Sequence, residues 1–141
     1  MRKLQLEDVN IPVKIKIAAL WASVMFCYVY GDYFDLYTPG KLQEMLEGKM
    51  SGDVVTQKKL FGTSIMMAIP SLMVFLSIAL TPAISRWLNI AAGFFYAGIM
   101  ALIFSYGGWA FYLFFAAVEI VLTLLIVWYA WRWPRVSASV A

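Results

Sequence analysis

Residues 109–131 read WAFYLFFAAVEIVLTLLIVWYAW, and Glu119 is the only charged residue among them. A helix of about 20 apolar residues crosses the hydrocarbon core of a bilayer, so this stretch predicts a membrane-spanning helix. A charge at the centre of such a helix costs about 2.5–3.5 kcal/mol, and intramembrane acids therefore usually face the protein interior or a wet cavity. Glu119 is the first candidate for a functional residue.

The rest of the chain has the same apolar character. Of its 141 residues, 63% are hydrophobic and 13% are charged, whereas soluble domains carry about 25% charged residues. We therefore expect an all-α transmembrane four-helix bundle that forms one domain over residues 1–141. The predicted spans cover about 15–33, 60–81, 87–104 and 109–131. Gly107 and Gly108 separate the last two, because paired glycines favour a turn over a helix interior.

The loop between the first two spans predicts a short amphipathic surface helix at about 39–48. Thr38 is a suitable N-cap, Pro39 suits the first helical position, and Gly48 can end the helix. Its apolar residues share one face: Leu42, Met45 and Leu46. Such a helix rests on the membrane surface. The alternative is a helix that caps the mouth of the bundle.

Basic residues near the spans predict the orientation. With the N-terminus in the cytoplasm, the inner face holds Arg2, Lys3, Lys14, Lys16, Arg86, Arg132 and Arg135. The outer face holds Lys41, Lys49, Lys58 and Lys59, together with five acidic residues. We therefore expect both termini in the cytoplasm and the lipid bilayer as the main partner. The basic residues form no cluster on an exposed face, so we expect no nucleic-acid partner.

Two scarce residue types limit the chemistry. The chain has no His and one Cys, Cys27, which removes imidazole ligands, intrachain disulfides and CxxC redox motifs. Standard catalytic motifs such as GxSxG, HExxH and the P-loop are missing from the sequence. We expect no enzyme activity, no cofactor and no metal site, and we interpret Cys27 as a small residue that packs inside the bundle.

Helical spacing places Tyr112, Ala116 and Thr123 on the same stripe as Glu119, so we expect Glu119 to point inward. Residues of the other spans reach the same depth: Ser23, Cys27, Ser71 and Tyr96. One interpretation is a cavity in which Glu119, Tyr96 and Ser71 bind a small molecule or a cation. The other is a neutral carboxyl that joins two helices by one hydrogen bond, worth about 0.6 kcal/mol in membranes.

A second cluster lies in YVYGDYFDLYTPG, residues 28–40. Asp32 and Asp35 are three residues apart and share a face if the helix continues. Four tyrosines surround them: Tyr28, Tyr30, Tyr33 and Tyr37. One interpretation is an acidic, aromatic mouth for a cation or an amine-bearing ligand, which would use carboxylate attraction and cation–π contact. The alternative is an interfacial girdle whose acids meet water.

Two features bear on packing. Pro70 lies in the second span, where it frees a backbone carbonyl that hydroxyls or water can satisfy; such a position is either a transport-site kink or a simple bend. Gly93, Ala97 and Ala101 recur every four residues, which predicts close helix contact within the chain or between copies. The second case would be a homo-oligomer.

Three segments carry a family resemblance: YGDYFDLY at 30–37, AIPSLM at 68–73 and RWLNI at 86–90. They resemble an uncharacterised family of bacterial four-helix inner-membrane proteins, and the layout is more loosely similar to DoxX-like membrane proteins. The resemblance implies a multi-pass protein of the bacterial inner membrane and brings no catalytic residues. Two functions remain open: a ligand-binding or transport/channel-type protein, and an accessory membrane subunit with no site of its own.

Overall fold

The computed structural model describes residues 9–134. Arg2, Lys3 and Arg135, which entered the orientation argument, lie outside this range. The chain elements in order are α1 (Val13–Asp35), α2 (Lys41–Leu46), β1 (Lys49–Met50), β2 (Asp53–Val54), α3 (Gln57–Ala79), α4 (Pro82–Tyr106) and α5 (Ala110–Trp131).

The four long helices α1, α3, α4 and α5 are each long and apolar enough to cross a membrane, which confirms the predicted all-α four-helix bundle. Consecutive long helices pack against each other, and α5 packs back onto α1, so the helices form a closed ring. Helix α4 starts at Pro82 rather than at about residue 87, because proline needs no backbone partner in a first helical turn. It ends at Tyr106, and Gly107 follows with a φ of +74°.

The bundle has two distinct ends. One end, here called the loop end, carries the C-terminus of α1 together with α2 and the β-hairpin. At the opposite end, here called the terminal end, Lys14 donates to the carbonyl of Ile78 at 2.9 Å and Arg86 donates to that of Ala130 at 3.2 Å. These cations therefore satisfy carbonyl groups that a helix C-terminus leaves without partners. Which side of a membrane this end faces stays a prediction.

Helices α4 and α5 approach most closely at Gly93. A Cβ atom at this position would lie 2.6 Å from Val127 Cγ2 and 3.1 Å from the backbone oxygen of Thr123. Ala97 is also buried, whereas Ala101 is exposed. The predicted stripe of small residues thus serves contact within the chain, at Gly93 and Ala97.

A buried polar network joins three helices near the terminal end. Trp21 Nε1 donates to Asn89 Oδ1 at 2.7 Å, and Asn89 Nδ2 donates to the backbone oxygen of Ser85 at 2.8 Å. Ser77 Oγ lies 3.0 Å from Asn89 Oδ1, and Ser85 Oγ donates to the backbone oxygen of Ser77 at 3.0 Å. All four side chains are fully buried. Because the indole can only donate, Asn89 must present its oxygen to Trp21.

Tyr96 satisfies the carbonyl that Pro70 frees. Proline has no backbone N–H, so the carbonyl of Met66, four residues earlier, loses its helical partner. The Tyr96 hydroxyl donates to this oxygen at 2.6 Å. Pro70 and Tyr96 are both buried. The hydrogen bond therefore completes the backbone of α3 and also joins α3 to α4.

The surface helix α2 is shorter than predicted. It begins after Gly40, whose φ is +85°, and no side chain caps it. The prediction of Thr38 as N-cap was wrong: its hydroxyl donates to the backbone oxygen of Asp35 and lies 2.9 Å from a side-chain oxygen of Asp35. Pro39 likewise precedes the helix. The apolar residues of α2 are all exposed, as a membrane-surface helix requires: Leu42, Met45 and Leu46.

A small β-hairpin that the sequence analysis did not predict follows α2. Gly48, at φ +71°, separates the two as expected for a residue that ends a helix. The strands turn at Ser51 and Gly52, which both have positive φ, as in a type I′ turn. Lys59 at the start of α3 donates to the carbonyl of Met50 at 2.7 Å and holds the hairpin against the helix.

We predict that Gly93→Leu lowers the free energy of unfolding by about 1–3 kcal/mol, because the new side chain overpacks the α4–α5 contact. Gly98→Leu on the same helix is the matched control, since a Cβ atom at Gly98 meets nothing within 4 Å. Chemical unfolding in detergent measures both. Equal losses for the two variants would show that α4 and α5 are not in close contact at Gly93.

We predict that Tyr96→Phe lowers the free energy of unfolding by about 0.6–1.7 kcal/mol, the range of hydrogen bonds in membrane proteins. The loss should nearly vanish in a Pro70→Ala background, because the backbone N–H restored at position 70 then serves the carbonyl of Met66. A double-mutant cycle measures this coupling. Tyr106→Phe on the exposed end of α4 is the control, and additive effects of Tyr96→Phe and Pro70→Ala would contradict the assignment.

Candidate functional site

A cavity of about 100 Å³ lies inside the loop-end half of the bundle, with walls from all four long helices. One water needs about 10–15 Å³ on this scale, so the cavity has room for several waters or for one small solute. Polar and sulfur-bearing side chains make up much of its lining: Cys27, Tyr28, Asp32, Met66, Met67, Met100, Tyr112 and Glu119. Glu119 therefore borders a cavity, as expected for an acidic residue inside a membrane-spanning helix.

Glu119 faces this cavity from α5 and is 3% exposed. The predicted stripe also lies on the inner side, with Ala116 and Thr123 buried and Tyr112 half-buried. The Thr123 hydroxyl donates to the backbone oxygen of Glu119 at 2.7 Å and leaves the carboxyl alone. Within residues 9–134, the carboxyl has no hydrogen bond and no salt bridge. No hydrogen bond within these residues therefore supports the interpretation that the Glu119 carboxyl joins two helices.

Tyr28 adds a second polar group to the cavity. The residue is 6% exposed, and its hydroxyl is the one buried side-chain oxygen or nitrogen atom that lacks a hydrogen-bond partner in the described part of the chain. Leaving such a group unsatisfied costs about 1–3 kcal/mol. A water or a solute in the cavity could supply the missing hydrogen bond.

The two acids of the predicted mouth are separated. Asp32 lines the cavity and is also exposed, so it lies at the rim. Asp35 pairs with Lys41 at 2.7 Å and takes no part in the lining. Residues three apart on a helix point about 60° away from each other, and here that rotation places only Asp32 at the opening.

Most of the predicted aromatic mouth also lies elsewhere. Tyr30, Tyr33 and Tyr37 are exposed, and the hydroxyls of Tyr33 and Tyr37 lie 2.9 Å apart on the surface. Only Tyr28 of this cluster reaches the cavity. These three exposed rings at the end of a spanning helix fit the alternative of an interfacial girdle.

Two of the predicted site residues, Tyr96 and Ser71, do not line the cavity. The centre of the Tyr96 ring lies 6.5 Å from that of Tyr28, and the Tyr96 hydroxyl donates to the carbonyl of Met66. Ser71 is exposed and donates to the backbone oxygen of Met67 at 3.0 Å. Ser23 is likewise exposed and donates to its own helix. The sequence analysis chose these residues by their depth along the helices. Whether a side chain faces the cavity also depends on its direction around the helix axis, which depth does not give.

Sequence reasoning missed part of the lining. Met66, Met67 and Met100 border the cavity, as does Tyr112, which had been placed only on the Glu119 stripe. A methionine in an apolar helix resembles any other core residue, so the sequence offers no local signal for it. The position of Cys27 at the depth of Glu119 was the one available signal for sulfur near the acid.

The chain belongs to a family of unknown function, DUF6326, which matches residues 8–139. A comparison with curated proteins and a comparison with solved structures each found no match. The family match confirms the predicted membership of an uncharacterised family. Similarity to DoxX-like proteins and location in a bacterial inner membrane stay predictions.

We predict that Glu119→Gln changes the free energy of unfolding by less than about 1 kcal/mol, because no hydrogen bond within the protein is lost. Asn89→Leu is the matched comparison on a fully bonded buried residue. It leaves Trp21 Nε1 without an acceptor and should cost about 1–3 kcal/mol. Unfolding in detergent measures both variants, and an equal loss for Glu119→Gln would make Glu119 a structural residue.

Proposed function

We propose that this chain is a membrane-embedded binding or transport protein that takes a small cation into the cavity at Glu119. One observation carries the proposal: Glu119 and Tyr28 border the same cavity, the Tyr28 hydroxyl is buried without a hydrogen-bond partner, and the Glu119 carboxyl forms no hydrogen bond or salt bridge within residues 9–134. A carboxyl held in an apolar medium without a partner is costly. A bound cation offsets that cost, whereas dry packing does not.

Asp32 supports access from the loop end. It lies at the rim of the cavity, while the neighbouring cation Lys41 pairs with Asp35. The rim carboxylate therefore keeps its negative charge available to attract cations from solution. Asp32 and Glu119 then form an acidic path from the surface to the interior.

Side chains pack the bundle on the other side of the cavity. There the rings of Trp21 and Tyr96 meet edge to face at 5.9 Å, and Trp21 also bonds Asn89 in the buried polar network. This arrangement favours binding from one side over an open channel. A transport cycle in this protein would need the contact between Trp21 and Tyr96 to open.

The cation proposal is tested by thermal unfolding of the purified protein with ammonium, methylammonium, sodium, potassium and silver ions at matched ionic strength. At least one of these cations should stabilise the protein, by about 2.7 kcal/mol at 100 times its Kd. Glu119→Gln should abolish the stabilisation and Asp32→Asn should weaken it, because both carboxyls line the cavity.

Asp35→Asn is the matched control, since Asp35 lies three residues from Asp32 but outside the cavity. Its cation response should equal that of the unaltered protein. If none of the five cations stabilises the protein, the accessory membrane subunit is favoured. A stabilisation that Glu119→Gln leaves unchanged would overturn the role of Glu119 in binding. Uptake into proteoliposomes then separates transport from binding alone.

A further inference from the structure

Four sulfur-bearing side chains meet at the cavity. Cys27, the only cysteine of the chain, lines it from α1, Met66 and Met67 line it from α3, and Met100 lines it from α4. These residues are far apart in the sequence, and only the fold brings them to one space. The chain has eight methionines, and among those in the described residues only these three border the cavity; Met73, for example, is packed in the hydrophobic core.

Sulfur ligands of this kind select soft monovalent metals. Thioethers and thiolates favour Cu(I), whereas carboxylates and waters suit magnesium and calcium. Within residues 9–134, no three His, Cys, Asp or Glu side chains lie close enough together to hold a metal ion. The sequence analysis expected no metal site and did not consider methionine thioethers as ligands.

We infer that the cation held in this cavity is a soft monovalent metal ion, Cu(I), bound by the Cys27 thiolate and by methionine thioethers, with Glu119 as the base that accepts the thiol proton. The inference rests on the proposed function, because it names the cation of the same site. Thioethers are neutral, so an ion of charge +1 buried among them needs one anionic ligand, which the Cys27 thiolate supplies. Glu119 lines the same cavity from α5 and, within residues 9–134, its carboxyl has no hydrogen bond or salt bridge, so it is available to take up the thiol proton.

The unpartnered hydroxyl of Tyr28 is a second, independent sign that the cavity is built for an occupant. It is more than nine-tenths buried and belongs to the same lining as Cys27 and Met100. Methionine side chains are unbranched and flexible, so they can turn their sulfur atoms toward an ion with little strain. Coordination by Cys27 replaces the thiol proton with the metal, and the Glu119 carboxylate takes up that proton, so the loaded site is neutral.

The metal assignment is tested by titrating the full-length protein in detergent with Ag(I), which does not change its oxidation state here, and with Cu(I) under anaerobic conditions against a competing chelator. We expect one equivalent to bind. Cys27→Ser and Met100→Leu should each weaken binding by at least roughly 10–100-fold, the effect reported for groups that only support a metal ligand. X-ray absorption at the copper edge should show sulfur neighbours.

Met73→Leu is the matched control, because Met73 is a buried methionine of α3 outside the cavity; its affinity should be unchanged. Exchanging methionine for leucine nearly conserves side-chain volume, so the methionine variants should fold. Circular dichroism confirms this. No binding of either ion, or binding that both Cys27→Ser and Met100→Leu leave unchanged, would overturn the metal assignment.

The outcomes also separate this inference from the proposed function. Ammonium or sodium binding that depends on Glu119, without Ag(I) or Cu(I) binding, would overturn the metal assignment and leave the proposed cation site intact. Sulfur-dependent Ag(I) binding that Glu119→Gln does not weaken would support the sulfur site and overturn the role of Glu119. The absence of any cation binding would overturn both.

Discussion

Hydrocarbon offers no hydrogen bonds, so each polar group inside this bundle must find its partner in the protein. Most of them do. Tyr96 bonds the carbonyl that Pro70 leaves free, and Lys14 bonds carbonyls at the end of α3. The amide of Asn89 is bonded on both sides. Glu119 and Tyr28 depart from this rule within the described residues, and both border one cavity, which is why that cavity is the strongest candidate for a functional site.

The bundle divides into two halves with different tasks. Toward the terminal end, a fully bonded polar network holds α1, α3 and α4 together. Toward the loop end, the same three helices and α5 surround the cavity, which is lined by acidic, phenolic and sulfur groups. Tyr96 lies at the boundary, since its ring contacts both Trp21 and Tyr28. The hydrogen bonds at the terminal end therefore join three of the four helices that line the cavity at the loop end.

Hydropathy and helical periodicity predicted the four helices and the inward direction of Glu119, because both depend only on local sequence. Ser71 shows where this reasoning stops. Its depth was predicted, but the buried face of α3 runs through Pro70, Met73 and Ser77, which turns Ser71 outward. Asp32 and Asp35 differ in the same way, by rotation and by the Lys41 ion pair. The sulfur lining joins residues from three helices, and no pattern within a single helix reveals it.

The closure of the ring by α5 has a consequence for biogenesis. Ribosomes build the chain from its N-terminus, so α1, α3 and α4 are complete before the helix that seals them is made. Helix α5 is also the most apolar, with a mean hydropathy of 2.5 against 1.4 for α1, which helps it to enter the bilayer despite its acid. Glu119 is thus synthesised after α1, α3 and α4, so the side chains that surround it in the folded protein are already present when α5 enters the bilayer.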